Sequence, residues 1–417
     1  VGPVVVATDS TEIAQAVEAA GGEAVMTRAD HPSGSDRVRE AADTLDPDRA
    51  HDLIVNLQGD LPAIDPAAIR AAAEAAATSG ADIATLAVEI EDDAERTDPN
   101  VVKAVVSDLE AGRLGGVMYL KKNVSTLQTV REMNGIFRAA SPDLPPFITL
   151  DQEGGAVERL TRDVGFTEIP NAETVAANNT PEQAEALYSG MAQGIGEQGF
   201  SVNFGPVADL NTNPENQIIA RFGRAFSADP MVVIDYDTAF VRAHRAAGLV
   251  TALKHFPGHG SSTADSHEGF VDITRSWSPD ELEPYRVLIA GDMADMVMVG
   301  HLYHADYANG DGETPSSLSP RWIDGVLRGE LGFDGVVISD DLEMGAIREH
   351  FSLEDTVVKA VRAGMDILLF SNTADYRPGL AQDVLDILVS EAAADPAFAA
   401  RIEESYRRIV ALKARLR

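Results

Sequence analysis

The densest group of residues that could do chemistry lies between Lys254 and His267. This stretch holds a lysine, three histidines and an aspartate within fourteen residues, on a segment rich in glycine and small polar residues. Asp265 precedes His267 by two positions, and a carboxylate beside an imidazole can hold the ring in one tautomer and stabilise its charged form. The pattern therefore indicates acid–base catalysis by a histidine–aspartate pair.

The same stretch has a second interpretation as a metal site. Ligand spacing alone permits it, but Pro257 and Gly258 break the helix that a His-x-x-x-His pair usually needs. We therefore favour acid–base chemistry and expect neither a bound metal nor a cofactor. The ligands of the alternative site would be His255, His259, Asp265 and His267.

A second candidate site follows the apolar run 335–339. Asp340 continues this predicted strand, so it is expected to point into the mouth of a barrel, where a carboxylate can attack an acetal carbon. Asp341 could instead cap the following helix, and both aspartates could serve only as caps. Asp340 is thus a candidate nucleophile.

A third group of polar residues also lies just after apolar segments. Asp151 follows the run 147–150 and precedes Arg159 by eight residues. Carboxylates and guanidinium groups placed in this way can bind sugar hydroxyls through paired hydrogen bonds. Weaker candidates at other strand ends are Arg224, Asp209 and His301, although Asp209 could be a loop brace.

The elements that must position these residues fall into two series. Residues 1 to about 113 alternate short strands with helices, which predicts a partial, doubly wound, Rossmann-like α/β segment. From Gly115 onward, longer units of strand, polar loop and helix predict a (β/α)8-like TIM barrel that lacks one strand. The first series comprises strands 4–8, 24–27, 53–57, 83–90 and 101–107 and helices 10–20, 36–45 and 66–77. The strands of the second series are 116–120, 147–150, 200–204, 250–253, 295–299, 335–339 and 366–370.

Three motifs in the second series resemble those of family 3 glycoside hydrolases. They are Asp-Gln-Glu-Gly-Gly at 151–155, Lys-His-Phe-Pro-Gly-His-Gly with Asp-Ser-His at 254–267, and Ser-Asp-Asp-Leu-x-Met at 339–344. The middle motif separates the family's β-N-acetylglucosaminidases from its β-glucosidases. Residues from about 114 to 417 therefore resemble a family 3 β-N-acetylglucosaminidase, the bacterial enzyme of peptidoglycan recycling.

This resemblance implies a retaining exo-glycosidase that removes terminal β-linked GlcNAc from a glycan or muropeptide. It implies that Asp340 forms a covalent glycosyl-enzyme, and that His267, paired with Asp265, serves first as acid and then as base. A histidine suits this role because its pKa lies near neutrality without tuning. A phosphorylase that uses phosphate in place of water is an alternative. The residues implied to hold the terminal sugar are Asp151, Arg159, Arg224, Lys254 and His255.

The first 113 residues resemble a different family, the cytidylyltransferase that activates the sugar acid 3-deoxy-manno-octulosonate. The matching segments are 4–9, 30–37, 55–62 and 99–103. In that family the aspartate matching Asp60 helps to hold Mg²⁺, but the segment that grips the triphosphate is absent here and Leu61 stands where an acidic residue is usual. A lone aspartate cannot hold a Mg-nucleotide. We therefore expect a catalytically inactive domain 1–113 joined to a hydrolase domain 114–417, as in a fusion or chimera.

The hydrolase resemblance leaves one gap, because the family's first barrel strand precedes the segment matching 115–120. An open barrel leaves backbone groups unpaired, so another segment should cover its edge. We hypothesise that strand 101–107 takes the place of the missing first strand.

Composition excludes several other functions. The net charge of −34 argues against binding to nucleic acid or anionic lipid, and the absence of cysteine excludes disulfides and a cysteine nucleophile. No apolar run is long enough to span a membrane, and no signal-peptide pattern is present, so we expect a cytoplasmic protein. Two alternatives to the glycosidase remain, a cytidylyltransferase and a non-catalytic sugar-binding scaffold.

Overall fold

A computed structural model describes residues 4–29, 31, 34–51, 53–56, 70, 99–266, 269–308, 310, 314–373 and 376–416. The chain divides into two compact units, Val1–Glu89 and Ile90–Arg417.

The first unit contains two parallel strands and two helices among its described residues. Strands β1 (Val5–Thr8) and β2 (Glu23–Met26) pair in parallel, with Val5 opposite Glu23. Helix α1 (Thr11–Ala19) lies between them, and helix α2 (Gly34–Leu45) follows. The Ser10 side chain caps α1 by accepting a hydrogen bond from the Ile13 N–H, which satisfies one of the donors left free at a helix start. These four elements confirm the predictions for this part of the chain.

Other predictions for the first unit have a different outcome. The strand predicted at 53–57 is wrong for residues 53–56, which lie in no regular element. Leu57, the strand 83–90 and all but one residue of helix 66–77 lie outside the described residues, as does Asp60.

The second unit is built on a parallel sheet with six strands in its described part, in the order β10-β8-β6-β5-β4-β3. The predicted positions of these strands are confirmed, although β5 is shorter than expected. The seventh predicted strand, 366–370, is reduced to a single parallel bridge between Ile367 and Ile338. The strands are β3 (Gly116–Tyr119), β4 (Phe147–Leu150), β5 (Val202–Asn203), β6 (Val250–Phe256), β8 (Met296–Val299) and β10 (Val336–Ser339). A separate parallel pair joins β7 (Val271–Asp272) to β9 (Leu302–Tyr303).

Helices follow the strands along the chain and pack against the sheet. Buried residues of the helices Pro181–Glu197 and Pro230–Ala246, among them Tyr188 and Phe240, form one core with Ile148 and Leu150 of β4. The helices are α3 (Pro99–Glu110), α4 (Leu127–Ala140), α5 (Ala172–Asn178), α6 (Pro181–Glu197), α7 (Pro230–Ala246), α8 (Glu283–Ala290), the π-helix Arg321–Glu330, α9 (Gly345–Arg348), α10 (Leu353–Ala363), α11 (Leu380–Ala394) and α12 (Pro396–Lys413). No helix in the described part of the chain is long and apolar enough to cross a membrane.

The hypothesis that residues 101–107 replace a barrel strand is wrong, because this segment belongs to helix α3. Pro99 is the first residue of the helix, a position that tolerates proline because the N–H it lacks would have no partner there. Leu109 is buried in the main core, and Val105 and Val106 pack against that core. The segment therefore contributes a helical face, not a sheet edge.

A cavity of about 570 Å³ lies between the two outer edges of the sheet. It is lined on one side by β3 and on the other by residues 366–370, and its lining also includes Phe147, Phe204, Met296 and Ile338. Among the described residues, β3 pairs with β4 and no strand lies on its other edge. The sheet is thus curled but open over this part of the chain.

Candidate active site

The polar residues singled out in the sequence lie at the carboxyl ends of the parallel strands. Asp151 directly follows β4, Lys254 and His255 are among the last three residues of β6, and Asp340 directly follows β10. Because parallel strands end at the same edge of a sheet, their terminal side chains can converge, as in other α/β folds with sites at this edge.

Five charged groups form a buried ionic network at this edge. The Lys254 ammonium lies 2.7 Å from Asp151 Oδ1 and 2.6 Å from Glu153 Oε1. Arg159 donates to the other oxygen of Asp151 at 2.8 Å. Arg224 donates from Nε and Nη2 to the two oxygens of Glu153, both at 2.8 Å, in the bidentate geometry that suits a guanidinium and a carboxylate. The network brings together four of the five predicted sugar-binding residues.

Burial and charge act in opposite directions on this network. Burial alone would raise the pKa of Asp151, but the charges of Lys254 and Arg159 outweigh it and hold the pKa below its ordinary value. Burial opposes ionisation of Glu153 as well, and Arg224 and Lys254 again hold its pKa low. The pKa of Lys254 is raised despite its burial, because two carboxylates face it. All of these groups are therefore charged at neutral pH, and the set offers fixed charges to a polar ligand.

Glu153 was not among the predicted site residues, although it connects Lys254 to Arg224. The motif Asp-Gln-Glu-Gly-Gly contains it, but its partner Arg224 lies 71 residues away in the chain. The available signal was a second carboxylate two residues after Asp151, in a segment that follows a buried strand.

We expect Glu153→Gln to lower the free energy of unfolding by about 3 kcal/mol, because it removes the charge that pairs with the buried Arg224 guanidinium. Urea denaturation would measure this change. Glu168→Gln is the matched control, since Glu168 forms an exposed pair with Arg162 and should change stability little. Equal effects of the two substitutions would contradict a stabilising role for the buried network.

Asp209, a weak candidate in the sequence, braces the segment at the end of β6. Its Oδ1 accepts hydrogen bonds from the backbone N–H groups of His255 and His259, at 3.2 and 2.7 Å. Its Oδ2 lies 2.8 Å from His255 Nδ1. Burial would raise the pKa of Asp209, but its contacts with His255 and His259 keep it below the ordinary value. The ionised carboxylate can only accept, so His255 carries its proton on Nδ1 and presents Nε2 toward Arg224, 3.4 Å away.

His259 is a buried, neutral histidine and does not face a ligand site. Its two ring nitrogens bond to the hydroxyls of Ser262 and Ser266, at 2.7 and 3.2 Å. Burial, with the neighbouring His255, lowers the pKa of His259 to about 4. Over the described residues, which exclude His267, no three potential ligands are grouped as a metal site would require.

The segments that carry the proposed nucleophile and the proposed acid–base pair come into contact. The backbone carbonyl of Ser266 accepts a hydrogen bond from the Ala346 N–H at 3.4 Å, on the helix that follows Asp340 and Asp341. Asp340 Oδ1 accepts from the Asp341 N–H at 2.8 Å, and His301 Nε2 donates to the Asp341 carbonyl at 2.9 Å. Asp265 belongs to the described residues, whereas His267 lies outside them.

Fixed charges and histidines at the carboxyl edge of a parallel α/β sheet are typical of enzymes that bind small polar substrates there. The described site of this protein has these features. The particular family follows from comparison with known proteins. Residues 76–412 match the profile of the glycosyl hydrolase family 3 N-terminal domain, and the chain belongs to that family.

Curated relatives and solved structures agree with this membership. A β-hexosaminidase from Stenotrophomonas maltophilia (strain R551-3) is 37% identical over 270 residues, which cover 63% of this chain and 77% of the relative. The structure of a family 3 β-N-acetylglucosaminidase from Paenibacillus sp. str. FPU-7 matches with a TM-score of 0.68 and 31% identity, over 75% of this chain and 59% of that chain. The β-N-acetylhexosaminidase from Beutenbergia cavernae DSM 12333 matches with a TM-score of 0.66 and 28% identity, over 75% and 93%.

The first part of the chain matches a second family. Residues 2–136 match the cytidylyltransferase profile. This match overlaps the glycosyl hydrolase match over residues 76–136. The two resemblances seen in the sequence are thus confirmed.

Proposed function

We propose that the protein is a retaining exo-β-N-acetylglucosaminidase that hydrolyses terminal β-linked GlcNAc. The observation that carries this proposal is the buried network of Asp151, Glu153, Lys254 and Arg224 at the carboxyl edge of the sheet, the edge at which Asp340 follows β10. Fixed charges of both signs suit the hydroxyl groups of a sugar, and the names of the relatives point to the same substrate class.

In the proposed mechanism, Asp151, Arg159, Arg224, Lys254 and His255 position the terminal sugar. The Asp340 carboxylate attacks the anomeric carbon while His267 gives its proton to the departing glycosidic oxygen. Asp265 stabilises the charged imidazole that this step requires. Water then attacks the anomeric carbon of the glycosyl-enzyme and gives a proton to His267. This attack breaks the bond between the sugar and Asp340 and restores the free carboxylate. Each bond and proton is accounted for without a metal or cofactor.

The direct test is the release of chromophore from an aryl β-GlcNAc glycoside. We expect turnover of the β-GlcNAc substrate and little turnover of the matching α-anomer or β-glucoside. Added phosphate should leave the rate and the products unchanged. Formation of GlcNAc 1-phosphate would instead favour a phosphorylase, and no release from any of the three glycosides would favour a non-catalytic sugar-binding chimera.

We further propose that the natural substrate is a muropeptide or related glycan of peptidoglycan recycling. This rests on the resemblance of the Lys254–His267 motif to that group of enzymes. Release of GlcNAc from a purified GlcNAc–muramic acid disaccharide would support it, whereas activity confined to chitin fragments would contradict it.

For the architecture, we propose a TIM-like barrel over residues 114–417 that lacks its usual first strand. The cavity between β3 and residues 366–370 supports this proposal, because it lies where the two outer edges of the sheet face each other.

We propose that residues 1–113 are catalytically inactive despite the cytidylyltransferase match. Leu61 stands where an acidic residue is usual in that family, and Asp60 alone cannot hold a Mg-nucleotide. Pyrophosphate release from CTP in the presence of 3-deoxy-manno-octulosonate should therefore stay at background. Release that depends on both compounds would overturn the proposal.

A further inference from the structure

The loop that carries Asp265 begins with a turn held between two acidic residues. Asp209 holds it on one side, through the N–H groups of His255 and His259. Glu281 holds it on the other side, where Oε2 accepts a hydrogen bond from the Gly260 N–H at 3.2 Å. Glu281 lies in the one-turn helix Pro279–Leu282 that precedes α8 and is 1% exposed.

The backbone of this turn passes directly over the Glu281 carboxyl group. Gly258 has a φ of +121°, and a Cβ placed there would come within 2.4 Å of Glu281 Oε2. Trp277, four residues before Glu281, donates from its indole N–H to the Pro257 carbonyl at 3.0 Å. The segment from Trp277 to Glu281 therefore forms a continuous support for residues 257–260.

We propose that Glu281 is a positioning residue for catalysis, whose carboxyl group holds the turn at residues 258–260 and thereby the loop that carries Asp265 and His267. The proposal rests on the proposed function, because it assigns the acid–base pair to this loop. Glu281 itself does not touch substrate in this account.

The surroundings of Glu281 favour its neutral form. Burial raises the pKa of Glu281 to about 8, and the negative charge of Asp209 acts in the same direction. Other titratable groups near Glu281 and Asp209 are His255 at the end of β6, His259 in the loop, Asp237 on α7 and Tyr285 on α8. Burial lowers the pKa of His259 and raises the pKa of Asp237 and of Tyr285, so it favours the neutral form of these three groups. Ionised Glu281 would thus add a second negative charge beside Asp209.

The sign of the pH effect follows from this arrangement. Burial beneath the ordered turn raises the pKa of Glu281 from 4.5 to about 8, although the hydrogen bonds from Ser261 and from the Gly260 N–H act in the opposite direction. Glu281 therefore binds its proton more tightly beneath the ordered turn than it would if release of the turn exposed it to water. The ordered turn therefore loses stability relative to the released turn as the pH rises from 4.5 toward 8, and loses no more above 8.

The test compares wild type, Glu281→Gln, Glu281→Ala and the control Glu283→Gln. Glu283 is two residues away and pairs with Arg286 on the surface, so its substitution makes the same chemical replacement without touching the loop. The substrate is an activated aryl β-GlcNAc whose leaving group needs no protonation, so that loss of the proton from His267 does not itself lower the rate.

We expect kcat of wild type and Glu283→Gln to fall as the pH approaches 8, and kcat of Glu281→Gln to fall much less. Glu281→Ala should lower kcat about tenfold and lower KM by a similar factor, because on this substrate the mispositioned pair slows only the attack of water on the glycosyl-enzyme, while binding and formation of that intermediate stay unchanged.

A second readout does not depend on activity. Trp277 contacts the supported turn, and fluorescence of the folded protein should show a transition that is complete by about pH 8 in wild type and absent in Glu281→Gln. Identical pH profiles and identical fluorescence titrations for wild type and Glu281→Gln would overturn the proposal. A wild type that shows the fluorescence transition but cleaves no β-GlcNAc glycoside would overturn the catalytic role, along with the proposed function. An active wild type with unchanged profiles would overturn the role of Glu281 alone.

Discussion

Replacing Asp340 with alanine is expected to leave the protein folded and to lower turnover about 10³-fold or more, because the covalent step loses its nucleophile. Asp340 directly follows β10, and its carboxylate lies at the strand end where the segments of the site meet. Its Oδ1 accepts a hydrogen bond from the N–H of the adjacent Asp341, and the alanine variant keeps the backbone hydrogen bond from the residue 340 N–H to the Val299 carbonyl.

Asp334→Ala is the matched control for this prediction. Asp334 is exposed and lies near the opposite end of the same strand, so it tests the effect of losing a carboxylate without touching the site. Steady-state rates on an aryl β-GlcNAc glycoside would compare the two variants. If Asp340→Ala keeps most of its activity, Asp340 is not the nucleophile.

Replacing His267 with alanine is expected to have an effect that depends on the leaving group. On substrates with poor leaving groups, such as a disaccharide, kcat/KM should fall about 10²- to 10⁴-fold, because the departing oxygen needs a proton. On activated aryl glycosides the same parameter should change far less, since the leaving group departs as a stable anion.

The slope of log kcat/KM against leaving-group pKa would measure this difference. The slope should become steeper in His267→Ala and stay unchanged in the control His51→Ala, which removes a half-exposed histidine from the first unit. Equal losses across all leaving groups would assign His267 a role other than general acid.

Much of the sheet could be predicted because its strands have a clear local signature. The strands β4, β8 and β10 and the first four residues of β6 are mostly apolar and fully buried, as strands covered on both faces must be. A polar candidate residue lies within two positions of the end of each strand, so the sequence indicated both the strand and the edge where the chemistry lies.

The segment at 101–107 shows where local reasoning failed. Its valines favour a strand by intrinsic preference. The spacing of Val105 and Leu109 also fits one face of a helix, and packing of that face against the core decided the structure. Tertiary contacts thus outweighed a propensity worth little by itself.

The site was predicted less completely than the sheet, because its electrostatics depend on residues far apart in the chain. The pair of Glu153 with Arg224 spans 71 positions. Glu281 looks in sequence like an ordinary acidic residue near a helix start, a common place for a carboxylate. Only the folded chain brings it against Gly258 and Gly260.

In the proposed mechanism, the Asp340 carboxylate at the end of β10 becomes covalently bound to the sugar. A slowly turned-over fluorinated N-acetylglucosamine analogue with a good leaving group would trap this intermediate for proteolysis and mass spectrometry. We expect one sugar per chain on the peptide that contains Asp340, and no labelling of Asp340→Ala. A label on another carboxylate, with Asp340 unmodified, would contradict it.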